Sequence, residues 1–222
     1  MEVKPNPLIE KIVYFVRHGQ SNDNVAPVFQ ALDSPLSEEG LNQAKFIAAR
    51  ISKVPFDKLI SSPLQRTQQT AQEISETANK PIIFSDLFVE RVKPSSISGK
   101  PYTDTKTGQI WRDWEESLVS VGKKVENGEN YQAIIQRADK ALEYLYQQSE
   151  KTLVVVTHGY FLRTLVARVL LGDTLTPESF KNFQKVASME NTGITVLTHE
   201  GAFEQDPCWR LWIYNDHAHL AE

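Results

Sequence analysis

The chain has 222 residues, and its 28 acidic and 24 basic side chains give a formal net charge of -4. This length fits one α/β domain with an inserted segment, and a mildly negative chain offers no electrostatic basis for binding nucleic acid or anionic membrane. The single cysteine, Cys208, excludes an intrachain disulfide. Together with a start that lacks a signal-peptide pattern, it predicts a cytoplasmic protein.

The first predicted element is a strand over about residues 11–16, preceded by a loose lead-in over residues 1–10. Its apolar run is too short for a typical helix and is typical of a strand buried on both faces. The run ends in Arg17-His18-Gly19, where the glycine lets the backbone turn sharply. Because ligands bind at the carboxyl ends of strands in open α/β sheets, Arg17 and His18 are expected to face a ligand.

A long polar loop over residues 17–36 leads to a helix that Ser37 caps. The apolar stripe of this helix is predicted to comprise Leu41, Ala44, Phe46, Ile47 and Ile51. A second strand is predicted over residues 56–61, and Ser62-Pro63 then reads as a cap and first position of another helix. Arg66 falls in the first turn of that helix, at an N-terminus that favours anions.

After a third predicted strand over residues 81–84, the chain becomes irregular over residues 86–130. We interpret this segment as an insertion over the carboxyl edge of the sheet, forming a lid or a substrate-facing wall. Trp111 and Trp114 within it line that wall or pack the insertion onto the body. Its lysines, Lys93 among them, face a phosphorylated or acidic substrate or belong to a solvated loop.

The second half of the chain repeats the pattern of the first strand. Asn130 caps a helix, and a strand over residues 153–157 then ends in His158-Gly159 before a further helix. Two late strands, over residues 191–197 and 209–215, are close enough in sequence to pair as antiparallel neighbours. Alternating strands and helices predict a three-layer α/β/α sandwich with a mostly parallel six-stranded sheet and an inserted lid segment.

Three strand ends therefore supply two arginines and two histidines: Arg17, His18, Arg66 and His158. Guanidinium groups keep their charge and match the geometry of phosphate oxygens, so this set describes an oxyanion pocket. A histidine in such a pocket can act as a nucleophile through one ring nitrogen when the other is held as a donor. An acid must then protonate the leaving alcohol, and Glu90, after the third strand, is the natural candidate.

The motifs that carry these residues resemble those of the histidine phosphatase superfamily, in its phosphoglycerate-mutase-like branch. The first is Arg17-His18-Gly19-x-Ser21-x-x-Asn24, and the second runs over residues 61–71. Glu90 and the Thr-His-Gly at residues 157–159 resemble the third and fourth, and the tail over residues 214–220 is also similar to many members. The resemblance covers about residues 11–220 in the family's order.

The resemblance implies a role for each of these positions. His18 would take the phosphoryl group as a phosphohistidine, and Glu90 would be the general acid and then the base on water. Phosphoryl oxygens would be bound by Arg17, Asn24, Arg66 and His158. Neither a metal nor a cofactor is implied, because the positive pocket stabilises the charge.

The function expected on these grounds is a metal-independent phosphatase that hydrolyses phosphomonoesters. Gln20 and Asp23 stand where the mutase pattern has Glu and Trp. This departure favours a phosphatase over a cofactor-dependent phosphoglycerate mutase. A catalytically inactive module that binds a phosphorylated ligand is the third alternative. The expected partner is a small phosphorylated substrate, with no nucleic acid and no membrane. The whole of 1–222 is expected to form one domain, and a homodimer stays open.

Overall fold

The computed structural model describes residues 8–31, 33–120, 122–201 and 208–220. In these ranges the chain forms six strands and seven α-helices, joined by turns and short 3₁₀ segments. The strands are β1 (Leu8–Arg17), β2 (Lys58–Ser61), β3 (Ile82–Phe84), β4 (Thr152–Thr157), β5 (Ile194–Gly201) and β6 (Cys208–Asp216). The helices are α1 (Asn22–Val25), α2 (Glu38–Ile51), α3 (Gln65–Ala78), α4 (Thr105–Glu116), α5 (Tyr131–Tyr146), α6 (Gly159–Leu171) and α7 (Pro177–Val186).

The six strands form one sheet in the order β3-β2-β4-β1-β5-β6. Strands β1 to β4 are mutually parallel, whereas β5 pairs antiparallel with β1 and β6 pairs antiparallel with β5. The predicted six-stranded, mostly parallel sheet and its antiparallel late pair are therefore confirmed. Because β1, β2 and β4 are parallel neighbours, their carboxyl ends meet at one edge of the sheet, and the chain leaves each of them toward the same crevice.

Helices cover both faces of this sheet, and each face has its own apolar core. Alternate residues of β1 and β4 divide between the two cores, as the two-residue period of a strand requires. Val13 and Val155 pack under α5, α6 and α7, and Val16 and Val154 pack under α2 and α3. This two-sided burial explains why both central strands read as continuous apolar runs.

Three local predictions need correction. Residues 8–10 belong to β1 and are not a lead-in, because Leu8 and Ile9 pair with β5 before a register shift at residue 10. Leu41 and Phe46 are 38% and 54% exposed, so the buried stripe of α2 runs instead through Gly40, Ala44, Ile47, Ala48 and Ile51. Helix α3 begins at Gln65 with Leu64 at its cap, and Ser62 therefore caps no helix. The expected caps at Ser37 and Asn130 are confirmed.

The segment between β3 and α5 is tied by backbone hydrogen bonds to the loop that follows β1. The N–H of Phe29 donates to Lys100 O at 2.9 Å, and the N–H of Gly99 donates to Phe29 O at 2.7 Å. Gly99 has a φ of 70°, a conformation that glycine adopts without strain. The loop after β1 and the segment between β3 and α5 are thus joined by backbone hydrogen bonds. Among the described residues, no helix combines the length and apolar character needed to cross a membrane.

Candidate active site

His18 follows β1 directly and is 2% exposed. Its backbone N–H donates to Thr157 O at 3.0 Å, which extends the pairing of β1 with β4 by one residue. The imidazole Nδ1 lies 2.7 Å from the carbonyl oxygen of Gly19. A carbonyl oxygen only accepts, so Nδ1 carries the proton and Nε2 presents its lone pair. The ring is thereby held in the tautomer that a nucleophilic Nε2 requires.

Arg66 points from the first turn of α3 toward that lone pair. Its Nε–H donates to His18 Nε2 at 3.3 Å, and its Nη1 donates to Ala31 O at 3.4 Å. The side chain is among the largest fully buried ones of the described residues. The position predicted for Arg66, beside the carboxyl end of β2, is confirmed.

His158 stands at the end of β4, next to His18 across the crevice. The two ring centroids are 5.1 Å apart and the rings meet at 61°. His158 Nε2 lies 2.8 Å from the hydroxyl oxygen of Ser62, which is fully buried after β2. His158 Nδ1 is buried and has no hydrogen-bond partner among the described residues. That nitrogen is available to a ligand in the crevice.

Arg17, the last residue of β1, has one guanidinium nitrogen that binds the surrounding protein and another that has no partner among the described residues. Its Nη1 donates to Met189 O, while its Nε is buried with no hydrogen-bond partner in the described part of the chain. A Cβ on Gly159 would lie 3.1 Å from Arg17 Nε. The glycine after His158 therefore leaves room for the guanidinium, which is a physical reason for the His-Gly pair at this strand end.

Glu90 follows a 3₁₀ turn over residues 86–88 and reaches the N-terminus of α6. Its carboxyl oxygens accept from the backbone N–H groups of Phe161 at 3.0 Å, Tyr160 at 3.3 Å and Arg91 at 2.9 Å. Asp86, Glu115 and Glu116 are other carboxyl groups that the sequence offers for the acid role. Of these, Glu115 pairs with Arg91 at 2.6 Å and Glu116 pairs with Lys123 at 2.7 Å. Glu90 thus lies at the N-terminus of α6, directly after His158.

Burial and positive charge control the ionisation of this pocket. The pKa of His18 is lowered well below its ordinary value, first by burial and then by Arg66 and Arg17. The pKa of His158 is lowered in the same direction by burial, Arg66 and His18. Burial also lowers the pKa of Arg66 to about 10, which still leaves it charged at neutral pH. Two neutral imidazoles therefore face two guanidinium cations, an arrangement suited to a phosphate dianion.

The structure brings together five of the six predicted site residues: Arg17, His18, Arg66, Glu90 and His158. The backbone of Asn24 lies in the short helix α1, but its side chain is outside the described part of the structure. Sequence reasoning missed Ser62 as a partner of His158, because a serine before proline also fits a helix cap. It also missed Gln30, which lines a cavity beside Glu90 together with Lys93, a residue for which both a substrate-facing and a solvated position were left open.

Asp216 and His219, in the C-terminal tail, have partners within the protein. Asp216 pairs with Arg50, and His219 lies 3.0 Å from both Arg50 Nη1 and Thr192 Oγ1. Thr192 in turn donates its backbone N–H to Arg17 O at 3.0 Å. The tail is therefore connected through Thr192 to the backbone at the end of β1.

The two tryptophans of the segment over residues 86–130 differ in burial. Trp114 is 7% exposed, and the guanidinium of Arg91 stacks 3.6 Å from its ring centroid. Trp111 is 39% exposed, and its ring lies 6.2 Å from that of Phe29. Trp114 thus packs within the segment, where its Nε1 donates to Glu129 O at 3.0 Å, and it also lines the cavity beside Glu90.

Comparison with known proteins agrees with this geometry. Residues 13–207 match the family model described as histidine phosphatase superfamily (branch 1). A probable phosphatase of Schizosaccharomyces pombe is 33% identical over 171 residues, which span 73% of this chain and 57% of the relative. Phosphoserine phosphatase 1 of Hydrogenobacter thermophilus is 33% identical, over 70% of this chain and 74% of the relative.

A probable phosphoglycerate mutase, GpmB of Escherichia coli, is 32% identical over 71% of this chain and 74% of the relative. Among solved structures, a mycobacterial glucosyl-3-phosphoglycerate phosphatase in complex with VO3 superposes with a TM-score of 0.72. The alignment covers 93% of this chain and 100% of that one at 23% identity. This structural likeness establishes a shared fold.

Proposed function

Because this chain belongs to the histidine phosphatase superfamily (branch 1), we propose that it hydrolyses phosphomonoesters without a metal, through a phosphohistidine on His18. One observation carries the proposal. The Gly19 carbonyl holds Nδ1 of His18 as the donor, so Nε2 presents a lone pair to a buried pocket of two arginines and a second histidine. Relatives named as phosphatases support the same class of reaction.

In the first step, His18 Nε2 attacks the phosphorus atom and the bond from phosphorus to the leaving oxygen breaks. Arg17, Arg66 and His158 bind the phosphoryl oxygens and stabilise the charge that develops on them. Glu90 gives its proton to the leaving oxygen, so that an alcohol departs. Two of these donors, Arg17 Nε and His158 Nδ1, are among the three buried side-chain atoms that lack a hydrogen-bond partner in the described residues.

In the second step, water attacks the phosphorus atom and the bond to His18 Nε2 breaks. Glu90 takes a proton from this water and returns to the form in which it began. The depressed pKa of His18 favours the neutral imidazole, both as the attacking group and as the group released. The products are inorganic phosphate, an alcohol and the free enzyme.

A phosphoglycerate mutase is the second candidate, because one relative at 32% identity is named as a probable enzyme of that kind. Both functions use the same phosphohistidine, and they differ in whether water or a second alcohol accepts the phosphoryl group. Gln20 and Asp23 depart from the mutase pattern. Release of inorganic phosphate, as opposed to interconversion of phosphoglycerates, distinguishes the two candidates.

The test is steady-state hydrolysis of p-nitrophenyl phosphate by the wild type and by His18→Ala, each with and without EDTA. We expect EDTA to leave the wild-type rate unchanged and His18→Ala to lower kcat by at least about a thousandfold. Acid-quenched wild type incubated with labelled substrate should carry an acid-labile phosphoryl group that the variant lacks.

Each other outcome counts against a specific part of the proposal. Activity lost to EDTA would contradict the metal-independent mechanism. Full activity of purified His18→Ala would show that His18 is not the nucleophile. Tight binding of phosphoesters with no turnover by either protein would favour a binding module.

A further inference from the structure

The segment over residues 189–193, just before β5, binds the backbone that carries the nucleophile. The N–H of Thr192 donates to Arg17 O at 3.0 Å and to His18 O at 3.4 Å. The side-chain amide of Asn191 donates to His18 O at 2.9 Å. Because these hydrogen bonds end on the carbonyl oxygens of Arg17 and His18, the conformation of the segment fixes where both side chains begin.

Thr192 has a backbone conformation that needs support from outside the segment. Its φ is 57°, in the left-handed region that β-branched residues rarely adopt because the Cβ crowds the following carbonyl oxygen. The residue is fully buried, and such strain persists only where the surrounding contacts outweigh it. The groups that contact Thr192 therefore decide whether the segment keeps the shape that binds Arg17 and His18.

The hydroxyl of Thr192 is bound by His219, in the C-terminal tail. His219 is 7% exposed, and its Nε2 lies 3.0 Å from Thr192 Oγ1 while its Nδ1 lies 3.0 Å from Arg50 Nη1. A guanidinium only donates, so Nδ1 accepts and Nε2 carries the proton that is donated to Thr192. The Thr192 hydroxyl in turn donates to Asn191 O at 2.7 Å. One directed chain of hydrogen bonds thus runs from the tail into the segment.

The tail contacts the same segment at a second point. Asn215 Oδ1 accepts from the backbone N–H of Glu190 at 2.8 Å. Asp216 forms an ion pair with Arg50, which is the residue that donates to His219. The tail therefore binds the segment at two places, and the ion pair holds the group at which the chain of hydrogen bonds begins.

We propose that His219 is a positioning residue of the active site, which aligns the His18 nucleophile by fixing Thr192 behind it. The inference rests on the proposed phosphatase function, because it assigns these contacts to the geometry of phosphoryl transfer. Among the described residues, none after residue 207 lines the cavity beside Glu90. The tail thus acts through the backbone at the end of β1. In-line attack on phosphorus tolerates little displacement of the attacking nitrogen.

The test uses two substitutions of His219. His219→Leu keeps a similar volume and removes both ring nitrogens, whereas His219→Gln keeps one acceptor and one donor. We expect kcat/KM for p-nitrophenyl phosphate to fall about tenfold to a hundredfold in His219→Leu. His219→Gln should recover most of that loss, because its amide can accept from Arg50 and donate to Thr192. Each rate is expressed per mole of folded protein, with the folded fraction measured by circular dichroism.

The matched control is His199→Leu, which removes a second buried histidine. His199 is 6% exposed, and its Nδ1 lies 3.0 Å from a carboxyl oxygen of Glu10, toward the other end of β5. Loss of this contact should lower the free energy of unfolding, as the loss at His219 should. Per mole of folded protein, His199→Leu should nevertheless keep the wild-type kcat/KM.

The Thr192 hydroxyl is tested separately, so that the outcome does not depend on whether the His219 variants fold. Thr192→Val removes the hydroxyl and keeps the branched shape, whereas Thr192→Ser keeps the hydroxyl. Only Thr192→Val should lower kcat/KM, by about the same factor as His219→Leu. The two changes combined should cost no more than the larger one alone, because both break the same chain of hydrogen bonds.

Inhibition by vanadate gives a readout that a loss of stability would not change. Vanadium takes a fifth ligand, so vanadate binding depends on the alignment of His18 Nε2, as the transition state does. The inhibition constant for vanadate should therefore rise in His219→Leu by about the factor by which kcat/KM falls. The inhibition constant for inorganic phosphate, which needs no bond to His18, should change much less.

Three results would overturn the inference while leaving the phosphatase function intact. In the first, folded His219→Leu keeps the wild-type kcat/KM, which would assign the tail to stability alone. In the second, Thr192→Ser loses as much activity as Thr192→Val. In the third, the losses of His219→Leu and Thr192→Val multiply, which would mean that His219 does not act through Thr192. Absence of p-nitrophenyl phosphate hydrolysis by the wild type would instead contradict the proposed function itself.

Discussion

In several side chains of the pocket, one polar atom binds the surrounding protein and another has no protein partner among the described residues. His18 commits Nδ1 to the Gly19 carbonyl and directs Nε2 inward. His158 commits Nε2 to Ser62, and Arg17 commits Nη1 to Met189 O. The atoms left over, His158 Nδ1 and Arg17 Nε, are buried without a partner in the described residues. Buried polar groups of this kind are uncommon in folded proteins, and a phosphoryl oxygen would satisfy both.

The acid role of Glu90 is tested by varying the leaving group. In Glu90→Gln, kcat/KM for an alkyl phosphate should fall about a hundredfold, because an alkoxide leaves poorly without a proton. The loss for p-nitrophenyl phosphate should be less than about tenfold, since nitrophenolate leaves without help. Glu116→Gln, which changes an exposed carboxylate of α4, should match the wild type on both. Equal losses of Glu90→Gln on both substrates would contradict an acid role.

Ser62 is expected to select the tautomer of His158. The N–H of Leu64 donates to Ser62 Oγ at 3.4 Å, so the hydroxyl proton is available to His158 Nε2. That places the imidazole proton on Nδ1, toward the crevice. In Ser62→Ala we expect kcat/KM to fall about tenfold. This corresponds to the loss of one hydrogen bond, from His158 Nδ1 to a charged phosphoryl oxygen.

The control for Ser62 is Ser61→Ala, which removes a neighbouring buried hydroxyl that donates only to Ser62 O. Its activity should stay within about threefold of the wild type. Nitrogen NMR of the histidine rings gives a readout that a general loss of stability would not change. A His158 ring protonated at Nε2 in the wild type would show that Ser62 does not act in this way.

At the scale of the elements, two helices support the turn that carries His18. Helix α2 approaches so closely that a Cβ on Gly19 would lie 2.5 Å from Gly40 O. The N–H of Ser37 donates to Gln20 O at 2.9 Å, and the N–H of Gly19 donates to Thr70 Oγ1 in α3 at 3.1 Å. The position of the nucleophile therefore depends on where α2 and α3 begin and how they pack.

Two helix caps, only one of which contacts the turn after His18, allow an effect on stability to be distinguished from an effect on activity. Ser37→Ala and Thr176→Ala each delete a side-chain cap, of α2 and of α7. Both should lower the free energy of unfolding by about 1 kcal/mol, measured by urea denaturation. Only Ser37→Ala should also lower kcat/KM, because Ser37 contacts the turn after His18. Equal activity of the two variants would show that the cap does not position this turn.

At the scale of the whole molecule, the fold buries two neutral histidines beside two arginines. This burial lowers the pKa of His18 and of His158. The unfolded chain, where the ordinary pKa is 6.5, then binds more protons than the folded chain as the pH falls below that value. The two histidines consequently make folding less favourable in mild acid, and their effect vanishes above their unfolded pKa.

The free energy of unfolding should therefore decrease as the pH falls below about 6.5, by up to about 1.4 kcal/mol per pH unit for each histidine. Urea denaturation of wild type and His158→Gln between pH 5 and 8 measures this slope. The variant should show a smaller slope below pH 6.5 and the same plateau shape above it. Identical slopes would mean that His158 is not buried in its neutral form.

The type and order of most elements, and the residues expected in the pocket, could be predicted from local patterns in the chain. Apolar runs that end in Arg-His-Gly and His-Gly mark the two central strands, because residues buried on both faces leave a continuous pattern. The placement of Arg17, His18, Arg66 and His158 followed from this, since parallel strands present their carboxyl ends at one edge. These signals are local, and they were readable for that reason.

The partner of each polar group depends on contacts that form when distant parts of the chain come together. Ser62 reads locally as a helix cap, but it contacts His158, 96 residues away in the chain. Residues 8–10 become strand because β5 offers a partner. Lys93 turns inward because the segment around it is bonded to the loop after β1. Such contacts join residues far apart in sequence, so neither the periodicity nor the composition of the chain indicates them.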